Sequence, residues 1–203
     1  MQGLFEGCES LKSIVIGTNF VINNLVYAEY MFKGCHSLKT LPFDITITNK
    51  VSNLSHFFSD CYSLTSVNLK SFDTSKVNDF SYMFHNCYNL KTIDITNFVF
   101  DGSDNLKGMF SGCYSITSID FSKVQPNYYL FDEIFYDCPN LNFVNFSFIR
   151  TLTYWYFWEK SYYLFNKNIS KSGTLIINEG YYNKYLKNLN IYPPEGWTLN
   201  LTN

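Results

Sequence analysis

The sequence is poor in several residue types, and each shortage narrows the class of protein. Among 203 residues there is one alanine, Ala28, and one arginine, Arg150, and 15 basic residues stand against 17 acidic ones, for a formal net charge of -2. A protein that binds nucleic acid needs a concentration of positive charge to neutralise phosphates. The composition therefore argues against nucleic acid as a partner.

Long apolar runs are also missing. No stretch approaches the roughly 18 apolar residues that a membrane-spanning helix needs. The start of the chain, M-Q-G-L-F-E-G-C, has no basic segment followed by an apolar one, and a secretory signal needs both. We therefore expect this chain neither to contain a transmembrane segment nor to carry its own signal peptide.

The sequence does contain a repeat built on six cysteines. They recur every 25 to 27 residues, each within a similar string such as M-F-K-G-C-H-S-L. Apolar residues follow at the third, sixth and eighth positions, which is the L-x-x-L-x-L pattern of a leucine-rich repeat. Its period of two predicts one short strand per repeat. The cysteines are Cys8, Cys35, Cys61, Cys87, Cys113 and Cys138. The predicted parallel strands are 13–16, 40–43, 66–69, 92–95, 118–121 and 143–146.

Helical spacing precedes each cysteine. Before Cys87, apolar residues recur at intervals of three and four, which places them on one face of a helix. They are Val77, Phe80, Met83 and Phe84. We therefore predict an α/β fold, a leucine-rich-repeat solenoid with one short parallel strand and one helix per repeat. Stacking the repeats buries the apolar side that a single repeat would leave exposed.

The regular spacing of the cysteines argues against disulfides. Equivalent residues in stacked repeats are related by translation, so their side chains are parallel and about 4.8 Å or more apart on the strand side. A disulfide needs converging Cβ atoms about 3.8 Å apart. The apolar pair before each cysteine also favours a buried thiol that behaves as a small hydrophobe. We predict a buried ladder of free thiols.

Catalytic, metal and cofactor sites are not expected. The sequence has no C-x-x-C pair, no glycine-rich loop that could hold phosphate, and only three histidines, His36, His56 and His85. Zinc sites need closely spaced ligand pairs. Two of these histidines, His36 and His85, occupy repeat positions that elsewhere hold Glu, Lys, Ser or Tyr. Such positions are typical of a solvent-facing surface, so we predict a protein that is not an enzyme.

Residues 64–90 carry a resemblance to a known family. Their sequence, L-T-S-V-N-L-K-S-F-D-T-S-K-V-N-D-F-S-Y-M-F-H-N-C-Y-N-L, is similar to the repeat of BspA-like leucine-rich-repeat proteins. The resemblance implies six repeats over 1–148, with 149–203 as a degenerate last repeat and C-terminal cap. It also implies a surface-displayed, non-enzymatic adhesion or antigen module. Aromatic residues at 149–165 have two interpretations, a sugar-binding platform or, more simply, a cover for the end of the core.

The exposed face of the strands is the predicted binding surface. Its polar residues alternate with the buried ones and so project from the sheet. The candidate ligand-binding residues are Ser66, Asn68, Thr92, Asp94, Ser118, Asp120 and Asn145. We predict that they bind a protein or glycan ligand. The alternative is that small polar residues only keep an exposed sheet soluble.

Two functional hypotheses therefore remain. One is an interaction module at the cell surface or secreted, as the resemblance implies, and the other is an intracellular repeat scaffold for protein–protein interaction. Four N-x-S/T sequons support secretion only weakly, at Asn53, Asn145, Asn168 and Asn200. The first repeat has no preceding repeat to cover its apolar residues, so we also expect self-association through this N-terminal repeat.

Overall fold

A computed structural model of the chain describes residues 2–14, 25–41, 46–47, 50–100, 105–123, 132–147, 168–183 and 193–202. These residues contain one parallel sheet of four strands, in the order β1-β2-β3-β4. The strands are β1 (Ser118–Asp120), β2 (Phe143–Phe146), β3 (Gly173–Asn178) and β4 (Trp197–Thr202), and one short helix, α1 (Glu179–Tyr181), follows β3.

The two predicted strands nearest the C-terminus are confirmed. Residues 118–120 form β1 and residues 143–146 form β2, and they pair in parallel with Ser118 opposite Phe143 and Asp120 opposite Asn145. Ile119 and Val144, between these positions, are buried, which is the alternation that the repeat pattern predicts. The sheet continues into β3 and β4, and the sequence analysis did not predict β4.

The predicted strands at 66–69 and 92–95 are not regular strands. Leu64, Leu69 and Ile95 are buried there as expected. Between residues 64–69 and 90–95, however, the backbones are joined by one long hydrogen bond, from the N–H of Lys91 to the carbonyl of Thr65 at 3.5 Å. The predicted strands at 13–16 and 40–43 lie partly outside the described residues.

The prediction of a helix before each cysteine is wrong for the described residues. The residues immediately before each cysteine form successive turns instead. We call them the turn segments; they are residues 2–7, 29–34, 55–60, 81–86, 107–112 and 132–137. Before Cys61, the N–H groups of His56, Phe58 and Asp60 donate to carbonyls of the next repeat at 2.8–2.9 Å. The N–H of Ser59, between them, donates to the carbonyl of His56 at 3.1 Å. Alternate N–H groups thus bond across and within repeats, and this pattern links the whole array.

Backbone conformation explains why the turn segments are not helical. The first and fifth residues before each cysteine have positive φ, whereas a right-handed helix needs negative φ throughout. They are Gly3, Gly7, Tyr30, Gly34, His56, Asp60, Tyr82, Asn86, Gly108, Gly112, Glu133 and Asp137. Glycine, asparagine and aspartate are the residue types that best tolerate this region. The apolar spacing that suggested a helix therefore belongs to a compact series of turns.

A continuous stack of aromatic rings runs through the core. One phenylalanine from each repeat, three residues before the cysteine, lies against the next, with ring centroids 5.3–6.3 Å apart and ring planes within 18° of parallel. This phenylalanine ladder consists of Phe5, Phe32, Phe58, Phe84, Phe110 and Phe135. Burial of large aromatic side chains is the main stabilising contribution of such a core, and each repeat depends on its neighbours for it.

Candidate interaction surfaces

The structure places the seven predicted ligand-binding residues at the surface. Five of them are exposed, Ser66, Asn68, Thr92, Asp94 and Asp120. The other two, Ser118 and Asn145, are half-buried in the sheet. They lie on successive repeats along one side of the array.

Four of these residues also have a structural task. The side-chain oxygens of Asn68, Asp94, Asp120 and Asn145 each accept a hydrogen bond from the backbone N–H two residues later, at 2.7–3.1 Å. This is an Asx turn, which bends the chain at the end of the strand. At Asp94 the Thr96 hydroxyl and N–H both donate to the carboxylate and hold its pKa below the ordinary value. The sequence shows an Asn or Asp two residues before a loop residue, which is typical of an Asx turn. From the sequence, these residues were predicted to bind a ligand or to keep the sheet soluble, and their role in the turn was missed.

The exposed side of the sheet extends beyond the predicted residues. Register places Ser118, Phe143, Thr174 and Thr198 in one row across the four strands. The next row consists of Asp120, Asn145, Ile176 and Asn200. We call the seven predicted residues together with these two rows the strand face. Short hydroxyl and amide side chains therefore surround two apolar residues, Phe143 and Ile176.

A second regular surface lies at the residue directly after each cysteine. Here His36, Tyr62, Tyr88 and Tyr114 stack face to face, with ring centroids 4.3, 4.7 and 4.9 Å apart and planes within 12° of parallel. Their side chains are half-buried or exposed. We call these four residues the aromatic ridge. From the sequence, these positions were predicted to be ordinary solvent-facing ones. A tyrosine at the same place in three repeats could have indicated the stack.

His56 and His85 lie on a different surface, in the turn segments. The His56 ring is stacked between Tyr30 and Tyr82, with centroids 5.1 and 5.0 Å away, and His85 meets Tyr82 edge-on at 5.4 Å. The Nδ1 atoms of both histidines are buried without a hydrogen-bond partner. Burial lowers the pKa of both side chains, so each favours its neutral form.

All six cysteines are free thiols, as predicted, and five of them are buried. Burial raises the pKa of Cys35 and Cys138 to about 12 and raises that of the three thiols between them as well. A thiolate is the reactive form, so the buried thiols are chemically quiet. Cys8, in the first repeat, is exposed.

The first repeat exposes the surface that other repeats cover. Its carbonyls at Gln2, Leu4 and Glu6 correspond to the three that accept cross-repeat hydrogen bonds elsewhere, and among the described residues nothing donates to them. Leu4 is 42% exposed, and among the described residues Phe5 stacks on Phe32 alone. This end therefore combines apolar area with unpaired backbone acceptors.

Metal-binding clusters and membrane-spanning helices are both absent from the described part of the chain. Within the described ranges, no three histidine, cysteine or acidic side chains are arranged to hold a metal ion. No helix there has the length and apolar character to cross a membrane. The aromatic residues at 149–165 lie outside the described residues.

Two family models match the chain. One, described as a Mycoplasma protein of unknown function, DUF285, covers residues 1–124. The other, described as a BspA type leucine rich repeat region, covers residues 106–195. The chain is significantly similar to no curated protein and to no solved structure. The two matches together span the repeats and most of the C-terminal part.

Proposed function

Because the chain belongs to the BspA-like leucine-rich-repeat family, with DUF285 repeats over its first 124 residues, we propose that it is a non-enzymatic interaction module. The strand face binds a protein or glycan ligand. The observation that carries this proposal is the parallel sheet, whose outer rows present short polar side chains at regular spacing on four adjacent strands. Solenoids use such extended surfaces to bind partners.

The strand face has the chemistry that a ligand surface needs. Thr174 and Thr198 offer hydroxyl groups beside the apolar Phe143 and Ile176, and Asp120 contributes one carboxylate. An apolar centre with a polar rim is the usual composition of an interface. The Asx turns of Asp120 and Asn145 also fix the ends of β1 and β2, and those of Asn68 and Asp94 fix the chain at the equivalent positions of two earlier repeats.

A double variant tests this surface. Thr92→Arg with Ser118→Arg adds bulk and charge to the strand face without touching an Asx turn. The probes are an array of purified glycans and a panel of purified extracellular-matrix proteins. We expect the unmodified chain to bind at least one probe and the double variant to bind it at least about tenfold more weakly. Val26→Arg with Val99→Arg, at two exposed residues outside the strands, is the matched control and should bind normally.

The proposed location is the cell surface or the secreted fraction, and the alternative is an intracellular scaffold that uses the same face. An antibody against the chain separates them. Binding to intact cells of the source organism supports the surface location, whereas binding only after permeabilisation supports the scaffold.

We also propose that this chain self-associates through its first repeat. The support is the combination of exposed Leu4 and the three carbonyls of Gln2, Leu4 and Glu6, to which nothing among the described residues donates. Apolar area and unpaired backbone groups at one place favour association.

A further inference from the structure

The aromatic ridge has a negatively charged environment. At one end, the Glu9 carboxylate lies 3.8 Å from Nδ1 of His36. At the other end, Asp137 accepts a hydrogen bond from the Tyr114 hydroxyl at 2.7 Å and another from the Asn168 amide at 3.0 Å. A negatively charged group therefore stands at each end of the stack.

Asp60 adds a third carboxylate, next to the middle of the ridge. Its oxygens accept hydrogen bonds from the Ser59 hydroxyl at 3.1 Å and the Asn86 amide at 2.9 Å. Ser59 and Asn86 are neutral, as are the two partners of Asp137, so these hydrogen bonds fix the carboxylates in place without cancelling their charge. Among the described residues, no lysine or arginine lies within 4.0 Å of either aspartate.

The nearby carboxylates contribute to a raised pKa at two tyrosines of the ridge. The hydrogen bond to Asp137 is the main reason why the pKa of Tyr114 is raised to about 12. For Tyr62, burial and then the charges of Asp60 and Glu9 raise the pKa. The ridge is thus an electronegative surface.

Stacking decides which part of each ring a ligand can reach. The faces of Tyr62 and Tyr88 are covered by neighbouring rings at 4.3–4.9 Å, so neither offers a flat face to a sugar or to a cation. The accessible groups are ring edges and phenol oxygens, beside carboxylate oxygens. A ligand that matches them must carry positive charge and several hydrogen-bond donors.

We propose that the aromatic ridge binds a basic, arginine-containing segment of a partner polypeptide. A guanidinium group presents five N–H donors in a planar fork and suits two adjacent acceptors. The Tyr114 oxygen and the Asp137 carboxylate, 2.7 Å apart, are such a pair. Tyrosine is also one of the residues that contribute most to protein interfaces. This surface is separate from the strand face and does not depend on its function.

Charge-neutral variants test the proposal. The probe is fluorescently labelled octa-arginine, titrated with the full chain at low and physiological salt. Asp60→Asn with Asp137→Asn keeps similar side-chain shapes and removes two charges, and we expect binding about tenfold weaker. The matched control is Asp73→Asn with Glu195→Gln, which removes two exposed charges that belong neither to the ridge nor to the strand face. We expect its affinity to change by less than about twofold, since exposed distant charges are screened.

A second pair of variants separates binding from structure. Tyr62→Phe with Tyr88→Phe keeps the stacked rings and removes two phenol oxygens. We expect weaker octa-arginine binding with an unchanged urea midpoint, whereas a ridge that serves only stability would leave binding unaltered. Equal losses for the ridge variant and the control variant would overturn the proposal, since the attraction would then be general. Equal affinity for octa-lysine would overturn the assignment to arginine, and the absence of saturable binding would overturn the whole inference.

Discussion

The thiol of Cys87 donates a hydrogen bond to the carbonyl oxygen of Phe58, one repeat earlier, at 3.2 Å. The same bond recurs at 3.1–3.2 Å for Cys35, Cys61, Cys113 and Cys138. The Phe58 carbonyl also accepts from the N–H of Cys61 at 3.2 Å, so the cysteine fills a small buried site and gives this carbonyl a second donor. This double role explains why the repeat uses cysteine where alanine would fit by size alone.

Cys87→Ala should lower the free energy of unfolding by about 1–2 kcal/mol, because it removes a buried sulfur atom and one of the two hydrogen bonds that the Phe58 carbonyl accepts. Urea unfolding followed by tyrosine and tryptophan fluorescence measures the change. Cys8→Ala, at an exposed thiol, is the control and should change the stability by less than about 0.5 kcal/mol. Similar losses for both variants would contradict this role for the buried thiols.

Thiol reagents should distinguish Cys8 from the other five cysteines. Without denaturant or reductant, at mildly alkaline pH, we expect one thiol to react rapidly, because Cys8 is exposed and the raised pKa values of the buried thiols keep them protonated. In denaturant all six should react. A count near zero in denaturant would instead show a disulfide framework.

Stability should decrease as the pH falls from about 7.5 to about 5.5. In the unfolded chain histidine takes up a proton near pH 6.5. In the folded chain burial lowers the pKa of His56 and His85, and Lys33 opposes their protonation while Asp60 favours it. The unfolded state therefore binds more protons in this range, and the free energy of unfolding falls with the pH. Asp79 also faces His56, and Glu133 faces His85.

Urea midpoints at the two pH values measure this effect. His56→Asn with His85→Gln should reduce the pH dependence, and asparagine tolerates the positive φ of residue 56. The single variant His36→Asn leaves His56 and His85 in place and should keep most of the pH dependence. If the double variant retains the full pH dependence, other groups are responsible.

Backbone conformation in the turn segments predicts opposite effects for two substitutions. Glu133→Gly should stabilise the chain by about 1 kcal/mol, because Glu133 has a φ of 58° that glycine adopts without strain. Gly112→Ala should destabilise it, since Gly112 has a φ of 74° and an added Cβ would collide with Asn86. Lys107→Gly, without a positive φ, is the control and should lose stability. Stabilisation by both glycine substitutions would contradict the conformational explanation.

Leu4→Lys should reduce self-association of this chain. Light scattering over a range of protein concentrations is the measurement. Val99→Lys, at a residue of nearly the same exposure in an internal repeat, is the matched control and should leave the association unchanged. A monomer at every concentration for the unmodified chain would refute the proposal.

The sequence predicted the parts of the fold that depend on burial. Period-two alternation located β1 and β2, and the cysteine period predicted parallel stacking and free thiols, because both patterns follow directly from which side chains are removed from water. The family resemblance was also correct. The strand-face residues were located at the surface, and their ligand role stays a prediction.

The turn segments could not be predicted from apolar spacing, because their structure depends on backbone conformation. Intervals of three and four suited a helix, yet the residues before Cys61 and Cys87 include His56, Asp60, Tyr82 and Asn86, all with positive φ. Apolar spacing reports which side chains face the core and contains no information on the sign of φ. The aromatic ridge was missed for a related reason, since stacking joins residues about 26 positions apart and only the register of the repeats brings them together.

The alternating hydrogen bonds of the turn segments give this side of the array an electrical direction, whereas bonds after the cysteines, such as that from the Ser63 N–H to the His36 carbonyl, run the opposite way. Each cross-repeat bond of the turn segments runs from an N–H group towards a carbonyl of the following repeat, so the peptide dipoles of these bonds add along the long axis. The N-terminal end, which presents the carbonyls of Gln2, Leu4 and Glu6, is the negative pole. This sign is opposite to that of an α-helix, whose N-terminus is positive. Along the turn segments, each carbonyl in these bonds therefore points towards the preceding repeat and each N–H towards the following one, the reverse of the order in an α-helix.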